Sequence, residues 1–129
     1  MDKDSLFFPS TINPYNIWQG NGITITLWIK IPIERSRLVV FSFLKNMNTK
    51  FEIYRHSNTN ILKFHIMNDG TRSEELITLP NMLNNEWNFL SWSIDTTGIW
   101  SIYVDNILQS TTAQHNIPNF NSGTHQIGY

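Results

Sequence analysis

Apolar and polar residues alternate through much of this chain, and this period of two constrains the fold more than any other feature. The clearest segment is 23–31, in which isoleucine or leucine occupies every second position. Successive side chains of a β-strand point to opposite faces, so this segment predicts a strand with one buried face. Pro32 ends the strand, because proline cannot donate to the hydrogen-bond ladder of a sheet.

Further segments with strand character follow one another at short intervals along the chain. Residues 38–44 are almost entirely apolar, which predicts a strand that is buried on both faces. No segment has the period of a long helix, and residues 80–86 leave room for only one short helical turn. Many short strands separated by turns predict an all-β, antiparallel two-sheet sandwich of the jelly-roll type. The other predicted strands are 51–54, 62–66, 75–79, 87–94, 100–104, one that begins at Ile107, and 125–129.

Turn-forming residues stand between several of these segments. Asn68, Asp69 and Gly70 follow one predicted strand and form a typical turn sequence. Asp105 and Asn106 occupy the two positions of a hairpin turn, and both residue types tolerate a positive φ angle. The sequence therefore predicts a turn at 68–70 and a two-residue hairpin turn at 105–106.

The composition supports a single folded domain with a substantial core, which we expect to span residues 1–129. Of the 129 residues, 40% are hydrophobic and 13% are aromatic. A net charge of −1 argues against a nucleic-acid-binding protein, which is normally strongly basic. The absence of cysteine excludes disulfides, thiolate zinc sites and a cysteine nucleophile. No apolar run has the ~20 residues of a membrane span, and residues 1–4 lack the pattern of a signal peptide.

No pattern of reactive side chains indicates catalysis, a metal site or a cofactor. Glu74 and Glu75 are adjacent, so on a strand their carboxylates point to opposite faces and cannot act together. The glycines form no phosphate-binding loop, and no serine lies in a nucleophile-elbow motif. The histidines lack metal-binding spacing. His56 and His65 lie on neighbouring predicted strands and could face each other as a pH-sensitive pair, but we favour ordinary solvated strand faces for both. We therefore expect a protein that is not an enzyme and uses no metal or cofactor.

The aromatic residues give the best indication of a binding surface. Trp28 lies on the polar phase of its strand, and Tyr54 shares the phase of a glutamate. If those phases face outward, Trp28 and Tyr54 are candidates for stacking on sugar rings or for packing against a partner. A segment near Trp18 would instead cover Trp28, and we favour packing because large aromatic side chains are usually well buried. Trp92 and Trp100 share the phase of apolar neighbours and are predicted to lie in the core.

The charged residues are distributed unevenly along the chain. Eight of the nine basic residues lie within 30–72, and no lysine or arginine follows Arg72. Such asymmetry indicates either opposite-sign patches that steer a partner or ordinary solvated faces. We favour the solvated faces, because the position of charge along a sequence is a weak functional signal.

Three segments, read in order, carry a family resemblance. They are ITITLWIKIP at 23–32, NNEWNFL at 84–90 and GIWSIYVDN at 98–106. Together they resemble the concanavalin A-like jelly roll in its laminin-G-like and pentraxin-like branch, and the resemblance covers residues 6–129. Asn106 stands where that branch usually has a glycine, a change that a turn tolerates.

Within that superfamily, the segment WIKIP at 28–32 is most similar to clostridial neurotoxins. The similarity is to the first half of their receptor-binding region and to the matching part of their non-toxic non-hemagglutinin companion protein. It implies a segment of a larger secreted protein that contacts neighbouring domains or a protein partner and weakly binds a glycan or an anionic lipid. If the ligand is an anionic lipid, the basic residues between positions 30 and 72 would contact its phosphates. The candidate residues for this anionic-surface contact are Lys30, Arg35, Arg37, Lys45, Lys50 and Arg55.

The resulting hypothesis is a non-catalytic binding or scaffolding module of a secreted toxin or toxin-complex protein. The alternative is a stand-alone, lectin-like carbohydrate-binding module. A glycoside hydrolase is disfavoured, because the Glu-x-Asp-x-x-Glu strand of such enzymes is missing. In this fold further strands follow the position that matches Tyr129, and one of them pairs with the N-terminal strand. We therefore expect either that the domain is cut short or that another chain completes it.

Overall fold

The described part of the computed structural model consists of ten β-strands and contains no helix. The structure describes residues 6–8, 22–31, 38–56, 59–78, 86–112, 115–117 and 124–127. Across these residues, nothing forms a helix with the length and apolar character to cross a membrane. The strands are β1 (Leu6–Phe8), β2 (Ile23–Lys30), β3 (Leu38–Asn46), β4 (Thr49–Arg55), β5 (Ile61–Asn68), β6 (Thr71–Thr78), β7 (Trp87–Ile94), β8 (Trp100–Val104), β9 (Ile107–Thr112) and β10 (Thr124–Ile127).

The strands form two antiparallel sheets that pack face to face. The six-stranded sheet has the order β1-β10-β3-β4-β5-β6, and the four-stranded sheet has the order β2-β7-β8-β9. Every strand pair is antiparallel. This arrangement confirms the prediction of an all-β jelly-roll sandwich.

The predicted strands lie close to their expected positions, with two differences. β6 begins at Thr71, earlier than predicted, because the tight turn before it places Thr71 directly opposite Asn68. β1 has no counterpart among the predicted strands, and its Leu6 lies opposite Ile127 of β10. The N-terminal strand therefore has a partner within the chain, so the expectation that this partner is missing is wrong. Outside the described residues lie Trp18, Leu79, residues 80–85 of the segment 80–86 that could hold a helical turn, and the last two residues of the predicted strand 125–129.

Two hairpins turn through residues with positive φ angles, at the two places where the sequence predicts turns. Asp69 and Gly70, with φ angles of 45° and 87°, join β5 to β6. Asp105 and Asn106, with φ angles of 51° and 65°, join β8 to β9. Two-residue turns of this kind match the right-handed twist of antiparallel strands. The second hairpin places an exposed carboxylate and an exposed amide at one end of the four-stranded sheet.

The core lies between the two sheets and is built around Trp92. The centroid of its ring lies 4.6 Å from that of Phe51, 5.0 Å from that of Phe64 and 4.8 Å from that of Trp100. Phe51 and Phe64 belong to the six-stranded sheet, so Trp92 joins the two sheets. Trp92 is 1% exposed and Trp100 is fully buried, which confirms that both residues lie in the core.

Residues 115–117 fasten the two sheets together through hydrogen bonds. The indole N–H of Trp100 in the four-stranded sheet donates to the carbonyl oxygen of Asn116 at 2.9 Å. The Asn116 N–H donates to the Ser73 hydroxyl at 2.8 Å, and its side-chain amide donates to the carbonyl oxygen of Thr71 at 2.6 Å. Ser73 and Thr71 lie in β6, so one asparagine connects both sheets.

Asp95 closes the turn between β7 and β8 with its own carboxylate. One carboxylate oxygen accepts hydrogen bonds from the Thr97 hydroxyl at 2.7 Å, from the Thr97 N–H at 2.8 Å and from the Ile99 N–H at 3.0 Å. The Thr97 hydroxyl, followed by the backbone donors, favours the charged form and holds the pKa of Asp95 below its ordinary value of 3.8.

Acid is expected to weaken the fold through this turn. The folded chain protonates Asp95 less readily than the unfolded chain, so the stabilisation is present above pH 3.8 and is lost as the pH falls through the lower pKa of the folded state. An Asp95→Asn variant cannot ionise and lacks this acid dependence. Urea unfolding of both proteins from neutral to strongly acidic pH should therefore show a stability difference that narrows as the pH falls. A difference that stays constant with pH would contradict this account.

Candidate binding site

The outward face of the four-stranded sheet carries three aromatic side chains at one end. Trp28 on β2 lies directly opposite Phe89 on β7, with ring centroids 5.2 Å apart. Trp87 lies opposite Lys30 in the next outward-facing pair. Trp28 is 63% exposed and Trp87 is 61% exposed, although tryptophan is usually well buried. We call Trp28, Trp87 and Phe89 the aromatic patch.

The hairpin turn between β8 and β9 forms one wall of a shallow cavity beside this patch. The Asp105 N–H donates to the carbonyl oxygen of Phe89 at 2.8 Å, and the Phe89 N–H donates to the Asp105 carboxylate, also at 2.8 Å. These two hydrogen bonds hold the turn against β7. The cavity has a volume of about 290 Å³ and is lined by Trp28, Phe89, Asp105 and Asn106. It combines aromatic surface with a carboxylate and an amide, and a few polar groups on an apolar lining are typical of small-molecule sites.

Beyond the aromatic patch, the same face is covered with hydroxyl groups. Thr26 lies opposite Ser91 and Thr24 lies opposite Ser93, and the hydroxyl oxygens of Thr24 and Ser93 are 3.0 Å apart. β8 and β9 extend both rows across the sheet. These side chains are all exposed or half-buried. We call them the hydroxyl field, whose members are Thr24, Thr26, Ser91, Ser93, Ser101, Tyr103 and Thr111.

Only one of the two predicted ligand-binding aromatics belongs to this face. The exposure of Trp28 shows that the packed position we favoured for it is wrong and that the polar phase of β2 faces outward. Tyr54 lies on the outward face of the six-stranded sheet, because Phe51 and Ile53 take the inward phase of β4. It is half-buried, with the Lys63 ammonium 5.8 Å from its ring centroid. Trp28 and Tyr54 therefore lie on opposite sides of the sandwich and do not form one site.

The four described residues among those proposed for an anionic surface do not gather on one face. Arg55 is fully buried because it takes the inward phase of β4, so its predicted role at the surface is wrong. The Lys50 ammonium lies 3.3 Å from the Glu52 carboxylate, on the outward side of the six-stranded sheet. Lys30 lies on the four-stranded sheet, and Lys45 is exposed near the end of β3. Outside the described residues lie Arg35 and Arg37.

The predicted pair of histidines does not form. The register of β4 and β5 places His65 opposite Glu52, and the Nδ1 atom of His65 lies 3.6 Å from the Glu52 carboxylate. His65 is buried, whereas His56 is exposed beyond the end of β4. Neighbouring strands alone allowed the pair, and their register excludes it. The solvated position that we favoured for both histidines is wrong for His65, which is buried.

The two adjacent glutamates point to opposite faces, as the alternation predicts. The Glu74 carboxylate lies 3.4 Å from the Lys63 ammonium on the outward side of the six-stranded sheet. The Glu75 carboxylate accepts a hydrogen bond from the Ser110 hydroxyl of the other sheet at 3.3 Å. Within the described ranges, no group of three or more histidine, aspartate or glutamate side chains could hold a metal ion.

Four further residues belong to this face although none of them was predicted to bind a ligand: Trp87, Phe89, Asp105 and Asn106. A signal was present, because Trp87 and Phe89 share one phase of β7 and leave the other phase to the core. What the sequence lacks is the register that places Phe89 opposite Trp28 and the hairpin turn beside both. Contacts between strands that are distant in sequence therefore create this site.

Solved structures of neurotoxin binding domains share this fold. The binding domain of botulinum neurotoxin DC, solved in complex with rat synaptotagmin II, matches with a TM-score of 0.70 and 19% identity over 89% of this chain and 30% of that chain. A structure of botulinum neurotoxin type C, a toxin that interacts with two ganglioside molecules, matches with a TM-score of 0.69. The identity is 18% over 96% of this chain and 30% of that chain. The binding domain of botulinum neurotoxin serotype G matches with a TM-score of 0.66 and 15% identity over 83% of this chain and 28% of that chain. This chain thus spans less than a third of each structure, and at these identities the likeness shows the fold alone.

The sequence itself also identifies a family. No curated protein sequence is significantly similar to this chain. The family model described as the concanavalin A-like lectin/glucanases superfamily, of the laminin-G type, matches residues 8–129. This match confirms the resemblance that the three sequence motifs carried. The chain belongs to the concanavalin A-like lectin/glucanase superfamily.

Proposed function

We propose that this chain is a non-catalytic binding module of a larger, secreted, toxin-type protein and forms a single domain over residues 1–129. In this proposal, the aromatic patch and the cavity beside it contact a carbohydrate-bearing partner. The single observation that carries the proposal is the exposure of two tryptophans, Trp28 and Trp87, on one open face. Contiguous exposed apolar patches mark interaction sites, and tryptophan is enriched among the residues that contribute most to binding energy.

The chemistry of the cavity favours a sugar ring as the group that is bound. An aromatic side chain offers a flat apolar face on which the C–H groups of a sugar can pack. Asp105 and Asn106 stand beside that face, and a carboxylate and an amide provide acceptors and donors for sugar hydroxyls. The cavity volume of about 290 Å³ lies near the roughly 300 Å³ at which small-molecule pockets begin.

The structural neighbours give further support for a binding role. One was solved with the protein synaptotagmin II, one interacts with gangliosides, and another binding domain was solved with SialylT. The carboxylates support a role without catalysis, since Glu74 and Glu75 point to opposite faces and each is engaged with other side chains. Tyr54 is left out of the proposed site because it lies on the opposite side of the sandwich.

Replacement of Trp28 is expected to weaken glycan binding strongly without unfolding the domain. A Trp28→Ala variant should lose about tenfold or more in affinity for the glycans that the wild-type chain retains, as expected for a central aromatic contact. Its free energy of unfolding should change by only about 0.5 kcal/mol, because the side chain is mostly exposed. Binding of the full chain to a printed glycan array, with unfolding followed by circular dichroism, measures both quantities.

A Leu76→Ala variant is the matched control. Leu76 is also a large apolar residue, it is 54% exposed, and it lies on β6 of the other sheet. Its replacement should leave glycan binding unchanged. The proposal is overturned if Trp28→Ala binds as the wild type does, or if the two variants lose binding equally.

A further inference from the structure

We infer that the module binds an uncharged, linear sugar chain that runs along β2 and β7, from the aromatic patch into the hydroxyl field. This inference rests on the proposed function and specifies the ligand class of the same site. The cavity alone does not account for the polar surface next to it. The hydroxyl field joins the aromatic patch without a break, and both belong to one open face.

The dimensions of the face exceed those of a single sugar. Trp28 and Thr24 lie on the same side of β2, four residues apart. At a rise of about 3.4 Å per residue, they are roughly 14 Å apart, a length that accommodates a chain of about three sugar rings. Ser91 and Ser93 follow the same direction on β7. A ligand that stacks on Trp28 therefore has a continuous path along two adjacent strands.

Hydroxyl side chains suit this ligand because each one both donates and accepts hydrogen bonds. A sugar chain presents the same groups, so a field of serine and threonine can match it in several orientations. The hydroxyl groups of Thr24 and Ser93 are hydrogen-bonded to each other across the two strands at 3.0 Å, and a hydroxyl oxygen has a second lone pair that can accept from a ligand. The serine and threonine side chains are also short, which leaves the face open to close approach by an extended chain.

The charge of the face specifies a neutral ligand. The hydroxyl field contains no ionisable group other than the phenol of Tyr103, and the remaining outward position of its two rows, Leu108, is apolar. The described charged residues that adjoin this face in sequence are Lys30, Glu86 and Asp105 at the aromatic end and Asp95, two residues after Ser93, at the other end. Three of these four carry a negative charge. An acidic sugar would meet the carboxylate of Asp105 at the cavity and would find no cation in the hydroxyl field. A neutral chain incurs no such repulsion.

A glycan array that varies chain length and charge independently tests this inference. The array carries neutral glycans of one, two and four sugar units and the sialylated form of each, and it is probed with the full chain. The expected signal is strongest on neutral chains of four units, about tenfold above the disaccharides of the same series. A Thr24→Val/Ser93→Ala double variant removes two hydroxyls without adding bulk and should reduce that advantage to less than threefold. Its binding to disaccharides should stay unchanged, because the aromatic patch is intact.

A Thr71→Val/Thr78→Val double variant is the control, since both residues are exposed on β6 of the other sheet. It should retain the preference for long chains. Equal signals for two and four units, or a preference for sialylated glycans, would overturn the inference while a Trp28-dependent signal would leave the proposed function in place. A full array without any signal would overturn both.

Discussion

Replacement of Trp92 with alanine is expected to lower the free energy of unfolding by about 3–5 kcal/mol, as is typical when a large buried aromatic is truncated. The ring of Trp92 contacts Phe51 and Phe64 of the six-stranded sheet and Trp100 of its own sheet. Its loss leaves a cavity where the two sheets meet. Single domains have a total free energy of unfolding of roughly 5–15 kcal/mol. The variant should therefore lose a large fraction of its stability. Urea unfolding followed by circular dichroism measures the change.

Trp87→Ala provides the control in the same strand. Trp87 is 61% exposed and faces away from the core, so its replacement should change stability by only about 0.5 kcal/mol. The comparison holds residue type, strand and size of the deletion constant and varies burial alone. Similar losses in the two variants would show that the core does not depend on Trp92 in the way described above.

Replacement of Gly98 with alanine is expected to destabilise the domain by about 2–5 kcal/mol, from an unfavourable backbone angle and a steric clash together. Gly98 has a φ angle of 85°, which L-residues rarely adopt. A Cβ atom built at this position would lie 2.5 Å from the carbonyl oxygen of His115. That oxygen belongs to backbone that is itself held in place, since the His115 N–H donates to the Gly98 carbonyl oxygen at 3.1 Å. The segment that fastens the sheets would therefore be pushed away.

Gly70→Ala separates the two causes. Gly70 has nearly the same φ angle, 87°, but a Cβ atom there would meet nothing within 4 Å. Its replacement should lower the free energy of unfolding by only about 1–2 kcal/mol, the cost of the unfavourable φ angle alone. The difference between the two variants, measured by thermal or urea unfolding, gives the cost of the contact with His115. If both variants lose the same stability, the clash contributes nothing and residues 115–117 yield freely.

Much of the fold could be predicted from the sequence because strand periodicity is local. The alternation in residues 23–31 depends only on neighbouring side chains, and β2 lies where it predicts. The positions of Trp92 and Trp100 in the core follow from the same rule, since each shares a phase with apolar residues. β6 is the instructive exception, because its polar first half is held in the sheet by a turn and by pairing with β5 rather than by its own pattern.

The candidate site could be predicted only in part. Alternation placed Trp28 on the polar face of β2. Whether another segment covers that face depends on how distant parts of the chain pack, which the local pattern does not show. The general tendency of tryptophan to be buried pointed to the wrong answer at Trp28. The prediction for Arg55 was wrong for a related reason. Its charge suggested a position at the surface, but its position in the alternation of β4 places the side chain on the inward face.

The sequence by itself determined most of the strands, the turns at 68–70 and 105–106, the two core tryptophans and the superfamily, because each depends on local patterns along the chain. β1 and the first half of β6 are the exceptions. Only the tertiary structure decided which strands became neighbours, and register set the pairs that matter for binding. It placed Trp28 opposite Phe89, brought the Asp105 turn against β7 and put Tyr54 on the far side of the sandwich. The physical reason is that pairing between strands distant in sequence is selected by the burial and hydrogen bonding of the entire sheet, and no local pattern encodes it.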